Sequence, residues 1–167
     1  IDFCIFIIDQ KTKADRQTKS IYLQDQFNIN EQLFTSLGVR YDNPDDFDSE
    51  VTYRATANYA LSQATHLKGA YGTGFKAPSL FQLNGFTPNN FFSAYYGNPD
   101  LKPETSRGWE IGIDQSLWNN RANANITYYQ NKVDDLIATV FLPSFDSTTI
   151  NHDSVDLKGI ESSLNIA

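Results

Sequence analysis

Apolar side chains recur at every second position through much of this chain, a period that only an extended backbone sorts onto two faces. The run from Val51 to Leu61 shows it best. Val51, Tyr53, Ala55, Ala57, Tyr59 and Leu61 alternate with Thr52, Arg54, Thr56, Asn58 and Ala60. A helix would scatter the same apolar set around its circumference. The run also matches the roughly 9–11 residues that a tilted strand needs to cross a bilayer.

The pattern repeats on both sides. Leu33, Thr35, Leu37, Val39 and Tyr41 oppose Ser36, Gly38, Arg40 and Asp42. Leu67, Tyr71 and Phe75 oppose His66, Lys68 and Gly72. Trp109, Ile111, Ile113 and Leu117 oppose Glu110, Gly112, Asp114 and Ser116, and Ala122, Ala124, Ile126 and Tyr128 oppose Asn123, Asn125, Thr127 and Asn131. A last segment sets Ile160, Leu164 and Ile166 against Glu161, Ser163 and Asn165, with a phase break near Gly159 that predicts a bulge. Residues 20–28 alternate less cleanly, because Asp25 falls in the apolar row. An unbroken apolar run, Phe3-Cys4-Ile5-Phe6-Ile7-Ile8, reads as one more strand; it is too short for a spanning helix and lacks the basic flank of a signal peptide.

The connections also fall into two kinds. Asn28-Ile29-Asn30-Glu31, Ser62-Gln63-Ala64-Thr65 and Trp118-Asn119-Asn120-Arg121 read as tight turns, while residues 42–49, 76–104 and 134–154 read as long loops. Short turns at one end and long loops at the other describe a membrane-spanning antiparallel meander. A soluble β-sandwich, a binding module or adhesin, also alternates, but it rarely needs so long a loop between neighbouring strands.

Composition points the same way. The chain is 14% aromatic, with 9 Tyr and 12 Phe, yet its mean hydropathy is negative, as suits a wall apolar outside and wet inside. A net charge of −7 leaves no basic stripe for nucleic acid. Cys4 is the single cysteine, so neither a disulfide framework nor a Cys-rich zinc site is available.

Two longer stretches resemble a known family. Tyr71-Gly72-Thr73-Gly74-Phe75-Lys76-Ala77-Pro78-Ser79-Leu80-Phe81-Gln82-Leu83 is similar to the motif with which a strand of a TonB-dependent outer-membrane receptor rises into an extracellular loop. Tyr96-Gly97-Asn98-Pro99-Asp100-Leu101-Lys102-Pro103-Glu104-Thr105-Ser106, followed by Trp109-Glu110-Ile111-Gly112, resembles the return into the next strand. Weaker agreements are Gly38-Val39-Arg40-Tyr41-Asp42, Val133-Asp134-Asp135-Leu136-Ile137 and Lys158-Gly159-Ile160-Glu161. Within the family, Tyr96-Gly97-Asn98-Pro99 and Gln82-Leu83-Asn84-Gly85-Phe86 look most similar to vitamin B12 (cobalamin) receptors, with ferric-siderophore receptors the alternative.

The resemblance implies a 22-stranded barrel plugged by an N-terminal domain in the bacterial outer membrane. Residues 1–167 then form about seven strands of the barrel domain, without the plug or the barrel-closing strands, and with sheet edges that invite self-pairing. The implied partners are outer-membrane lipid, the plug and remaining strands, TonB acting through that plug, and a large nutrient. No cofactor is implied. Gly72 and Gly74 are expected to permit close approach or bending at the strand end. Pro78, Pro99 and Pro103 fit where pairing has stopped, and Glu104 and Glu110 are candidates to join loop and wall.

Candidate chemistry is sparse. His152-Asp153-Ser154 holds triad residue types, but neighbours in an extended chain point to opposite sides, so no enzyme is expected. Asp42, Asp45, Asp46 and Asp48 with Glu50 offer oxygen ligands for Ca²⁺ but lack EF-hand spacing, so a solvated loop is the plainer reading and no metal is assigned. Arg40, Arg54, Lys68, Glu110 and Asp114 are read as wet lining. The binding candidate is the long loop, where Phe86, Asn89, Asn90, Phe91, Phe92, Tyr95 and Tyr96 combine flat apolar rings with amide groups suited to a large ligand bearing both.

Overall fold

The computed structural model describes residues 14–88 and 93–166. The apolar run of residues 3–8, with Cys4, and Asn89, Asn90, Phe91 and Phe92 lie outside the described residues.

Among the described residues seven long strands form one antiparallel meander: β1 (Thr18–Asn28), β2 (Leu33–Pro44), β3 (Glu50–Ala60), β4 (Thr65–Lys76), β7 (Glu104–Leu117), β8 (Ala122–Phe141) and β9 (Ser147–Ile166). The connection from β4 to β7 carries a short helix α1 (Leu80–Asn84) and two short strands, β5 (Phe86–Thr87) and β6 (Tyr95–Tyr96). Sheet order is β1-β2-β3-β4-β7-β8-β9-β6-β5. Among the described residues there is one sheet and no second layer, which rules out the sandwich.

Ladder partners share a face, so the register turns the alternation into rows. Leu37, Ala55, Tyr71 and Trp109 form one row across four strands, and Ile111, Tyr128 and Ile160 continue the belt. These side chains are left uncovered: Trp109 is 42% exposed and Ile160 72%. Aromatic neighbours reinforce the belt, with Trp109 and Tyr128 centroids 5.4 Å apart and Tyr53 and Tyr71 6.0 Å apart, each pair contributing about 0.2–1 kcal/mol. Asp25 faces Leu37 in the register and stays exposed, the one carboxylate between Leu23 and Phe27 in that row of β1.

The opposite face is polar. Gln24, Gly38, Arg54, Gly72, Gly108 and Asn131 make one row, and Lys68 pairs with Asp114 at 3.4 Å. An open hollow of about 500 Å³ lies here over Gly72 and Gly108, edged by Arg54, Glu110, Asn131 and Glu161.

Three expectations about connections need correction. The connection expected over residues 42–49 is shorter, residues 45–49, because β2 runs to Pro44 and β3 starts at Glu50. Residues 134–154 form a protruding hairpin, since β8 and β9 stay paired from Asp134↔Ser154 to Phe141↔Ser147. No bulge occurs near Gly159, where the register runs unbroken through Tyr129↔Gly159. The interruption lies at Asp135, which takes φ 56° and is skipped by the ladder. Side-chain phase misplaced it, because a polar residue in an apolar row mimics an inserted one.

Candidate functional site

The β4–β7 connection folds back over the β8–β9 hairpin and makes the compact part of the molecule. Its start is written locally. Ser79 caps α1, its Oγ accepting from the Gln82 amide at 3.1 Å while Gln82 Oε1 accepts from the Ser79 amide at 2.8 Å. Leu83, Leu101, Pro78 and Thr149 are buried beneath, Leu101 only 2% exposed. Gly97 is needed by close packing: a Cβ there would come within 2.7 Å of the Gly85 nitrogen.

Polar staples fix this loop to the hairpin. β6 pairs in parallel with β9 at Tyr95↔Ser147 and Tyr96↔Thr148. Asp146 Oδ1 accepts from the Ala94 amide at 2.8 Å, and the Ser147 amide donates to the Ala94 carbonyl at 2.8 Å. Asn98 Nδ2 donates to the Thr149 carbonyl at 2.9 Å. Asn151 spans both segments: its Oδ1 accepts from the Lys102 amide at 2.9 Å, and its Nδ2 donates to the carbonyls of Lys102 and Asp135. Ala94 and Ser144 donating to Asp146 hold that carboxyl below its ordinary pKa, the Ala94 amide contributing most.

Glu104 sits where loop meets wall and is 8% exposed. Its carboxylate receives Lys76 Nζ at 3.1 Å and the Ile137 amide at 2.8 Å, so one side chain ties the end of β4, the start of β7 and the base of the hairpin. Glu110 instead edges the polar hollow. Gly72 is not forced by crowding, as a Cβ there would meet only ordinary contacts, whereas at Gly74 it would meet Ser106 Oγ at 2.6 Å. The wall does not stop at those glycines, for β4 and β7 stay paired to Lys76↔Glu104. Pro78 and Pro103 lie just beyond that last pair, and Pro99 is in a turn.

On this scaffold the rings form paired plates. Phe81 and Tyr95 stack with centroids 4.9 Å apart and planes 9° apart, and Tyr95 Oη shares a 2.5 Å hydrogen bond with Thr149 Oγ1. Phe86 and Tyr96 pair at 5.3 Å with tilted planes. Phe81 and Tyr96 remain substantially exposed, and the hairpin tip adds exposed Phe141 and Phe145. Of the sequence candidates, Phe86, Tyr95 and Tyr96 come together here. Sequence reasoning missed Phe81, Thr149, Asn151 and Asp146. The Ser79-Leu80-Phe81-Gln82 spacing is a capping-box signal that would have placed Phe81 on a helix; nothing local marks the partners from the hairpin.

The acidic loop does not assemble a cation site. Asp42 is taken by Arg40 at 2.7 Å and Ser20 at 2.5 Å, Asp46 by Arg16 at 2.7 Å, and Asp45 accepts from the Gln17 amide at 3.2 Å. No cluster of three metal-ligating side chains occurs among the described residues. Arg16 also donates to the Pro78 carbonyl at 2.8 Å and lies 5.2 Å from the Phe47 ring centroid, tying the rim near β1 to the segment that leads into α1.

Comparison with known proteins agrees with this architecture. The family model described as TonB dependent receptor-like, beta-barrel matches residues 6–167. The vitamin B12 transporter BtuB of Photobacterium profundum is 30% identical over 156 residues, covering 91% of this chain and 24% of that protein. The chain thus spans about a quarter of that relative's length. Among solved structures, the siderophore receptor PirA from Pseudomonas aeruginosa aligns with TM-score 0.78 and 21% identity, over 89% of this chain and 31% of that one. The Serratia marcescens hemophore receptor HasR, solved as a double mutant with its hemophore HasA and heme, aligns with TM-score 0.77 and 19% identity, over 91% and 32%. At these identities the structural matches establish the fold alone.

Proposed function

We propose, from the premise that this chain belongs to the TonB-dependent receptor β-barrel family, that it supplies wall and capture surface for uptake of a large nutrient across the bacterial outer membrane. The observation that carries this reading is the pairing of an uncovered apolar belt with a stapled aromatic module at one end of the same strands. The belt suits lipid. The module presents flat rings and backbone amides on a preformed support, which lowers the ordering cost of binding a bulky ligand. No step requires covalent chemistry from these side chains.

Cobalamin is the proposed ligand. Support comes from the 30% identity to a vitamin B12 transporter over nearly the whole chain. Energy would reach the receptor through TonB and a plug domain supplied elsewhere in the protein. The test is a cobalamin titration of the full-length receptor in detergent, followed by Trp fluorescence. Saturation at nanomolar ligand is expected, and replacing Phe81 and Tyr95 by Ala should weaken it. Absence of binding at micromolar cobalamin, with tight binding of a ferric siderophore instead, would reassign the nutrient within the class.

A further inference from the structure

Cations gather on the apolar face where the belt stops. On β7, β8 and β9 the belt ends at Trp109, Tyr128 and Ile160, and the next positions on that face are Arg107, Gln130 and Lys158, with Lys132 beyond Gln130. Arg107 and Lys132 are direct ladder partners, and Lys158 partners Gln130, one step along the same face of β8 from Lys132. Such partners sit about 5 Å apart at Cα and such diagonals about 7–8 Å apart, so three long side chains can converge on one point.

Like charges placed directly opposite destabilise a sheet, and they occur here in a chain of net charge −7. Counter-charges only partly answer them. Lys132 pairs with Asp134 at 3.0 Å, and Asp156 faces Lys132 from β9. Arg107 and Lys158 form no ion pair among the described residues. Both carboxylates lie level with or beyond Lys132, so the side of the cluster nearest the belt is purely cationic.

We infer that Arg107, Lys132 and Lys158 form a binding site for the phosphorylated headgroup of an outer-leaflet lipid. The inference rests on the membrane reading above. A guanidinium fork and two ammonium groups suit a phosphate. Trp109, Ile111, Tyr128 and Ile160 lie directly below, where the acyl chains of the same molecule would run. Free phosphate would find the cations but have no use for the belt.

The test is native mass spectrometry of the full-length receptor in detergent with diphosphoryl lipid A, its dephosphorylated counterpart, and inorganic pyrophosphate as competitor. Preferential retention of the diphosphoryl lipid is expected, lost on the order of a hundredfold in R107Q/K132Q/K158Q. Asp134→Asn should tighten retention by freeing Lys132. Equal retention by the triple variant, or equal retention of both lipids, would overturn the site. Pyrophosphate displacing the lipid at equal concentration would make it a phosphate site instead and overturn the lipid assignment. Should the triple variant fail to fold, R107Q against R107K reads the same effect, with Lys restoring part of the loss. A receptor that stayed dispersed without detergent would sink the membrane reading itself, a failure separate from that of the site.

Discussion

The wall and the loop module follow opposite rules of burial. Along the wall, Ile111, Ile113, Ile126 and Ile160 are between 37% and 72% exposed, and stability comes from ladders such as the unbroken run from Thr65↔Gln115 to Lys76↔Glu104. In the module, Leu83, Leu101, Pro78 and Thr149 are buried and held by side-chain bonds to backbone. On the membrane reading proposed above, the wall takes its apolar environment from outside the chain, whereas the module makes its own. A truncation should therefore cost less in the wall, where no cavity is left, than in the module, and a charge should distinguish them differently again.

The largest contrast is Leu101→Ala against Ile111→Ala. Removing Leu101 leaves a cavity in a small core and should cost about 2–5 kcal/mol of local stability. Hydrogen exchange in the full-length receptor should then show residues 95–104 and 147–151 losing protection while the lower ladders keep theirs. Ile111→Ala opens no cavity, because lipid closes around the site, and should lose only the transfer contribution of the removed groups, about 1–2 kcal/mol, without loosening the module. Equal effects would mean that the two regions share one core. A charge reverses the ranking on the wall: Ile111→Arg should cost about 2–4 kcal/mol in lipid if Ile111 lies near the midplane. In an aqueous assay of a soluble domain the same change would be nearly silent, so refolding into vesicles decides whether the belt faces lipid.

How far each region could be read in advance follows from the same division. Wall strands are legible because neighbours along one strand already carry the period, as in Val51-Thr52-Tyr53-Arg54. Their ends were less so: β8 and β9 extend past the belt, where alternation no longer separates apolar from polar and Thr148, Thr149 and Asn151 look like loop. The module was legible only as an aromatic cluster. Phe86, Tyr95 and Tyr96 could be chosen by type, but Asn151 and Thr149 lie about fifty residues from their partners, and such pairings leave no trace in local spacing. Glu104 was suspected from its motif; its role at the junction came from Lys76 and Ile137.

Glu104 tests whether the regions are mechanically joined. Glu104→Ala removes the acceptor for the Ile137 amide and for Lys76, and should cost about 1–3 kcal/mol where the amide is left unsatisfied. Exchange should rise at Ile137 and in the hairpin above it, with β4 and β7 below unaffected. Glu104→Gln keeps an acceptor and should recover much of that loss. If both variants matched the parent, the junction would be held by the ladder alone.

The smallest expected effect concerns acid. Asp146 is held below its ordinary value of 3.8 by the Ala94 amide and then by Ser144, so its folded carboxyl gives up a proton more readily than its unfolded one. Its contribution is therefore present above about the unfolded value. As pH falls below that point the contribution declines, and it is gone once the folded carboxyl is protonated. Because Asp146 is half-buried at the hairpin tip, away from the wall, the change should be local: the Ala94 amide should gain exchange relative to the intrinsic rate while Ile111 and Tyr128 in the wall do not. Asp146→Asn should remove that pH dependence without touching the ladder. Acid that loosened wall and tip together would show that the module depends on the wall's charge network, and the two regions would then have to be treated as one cooperative unit.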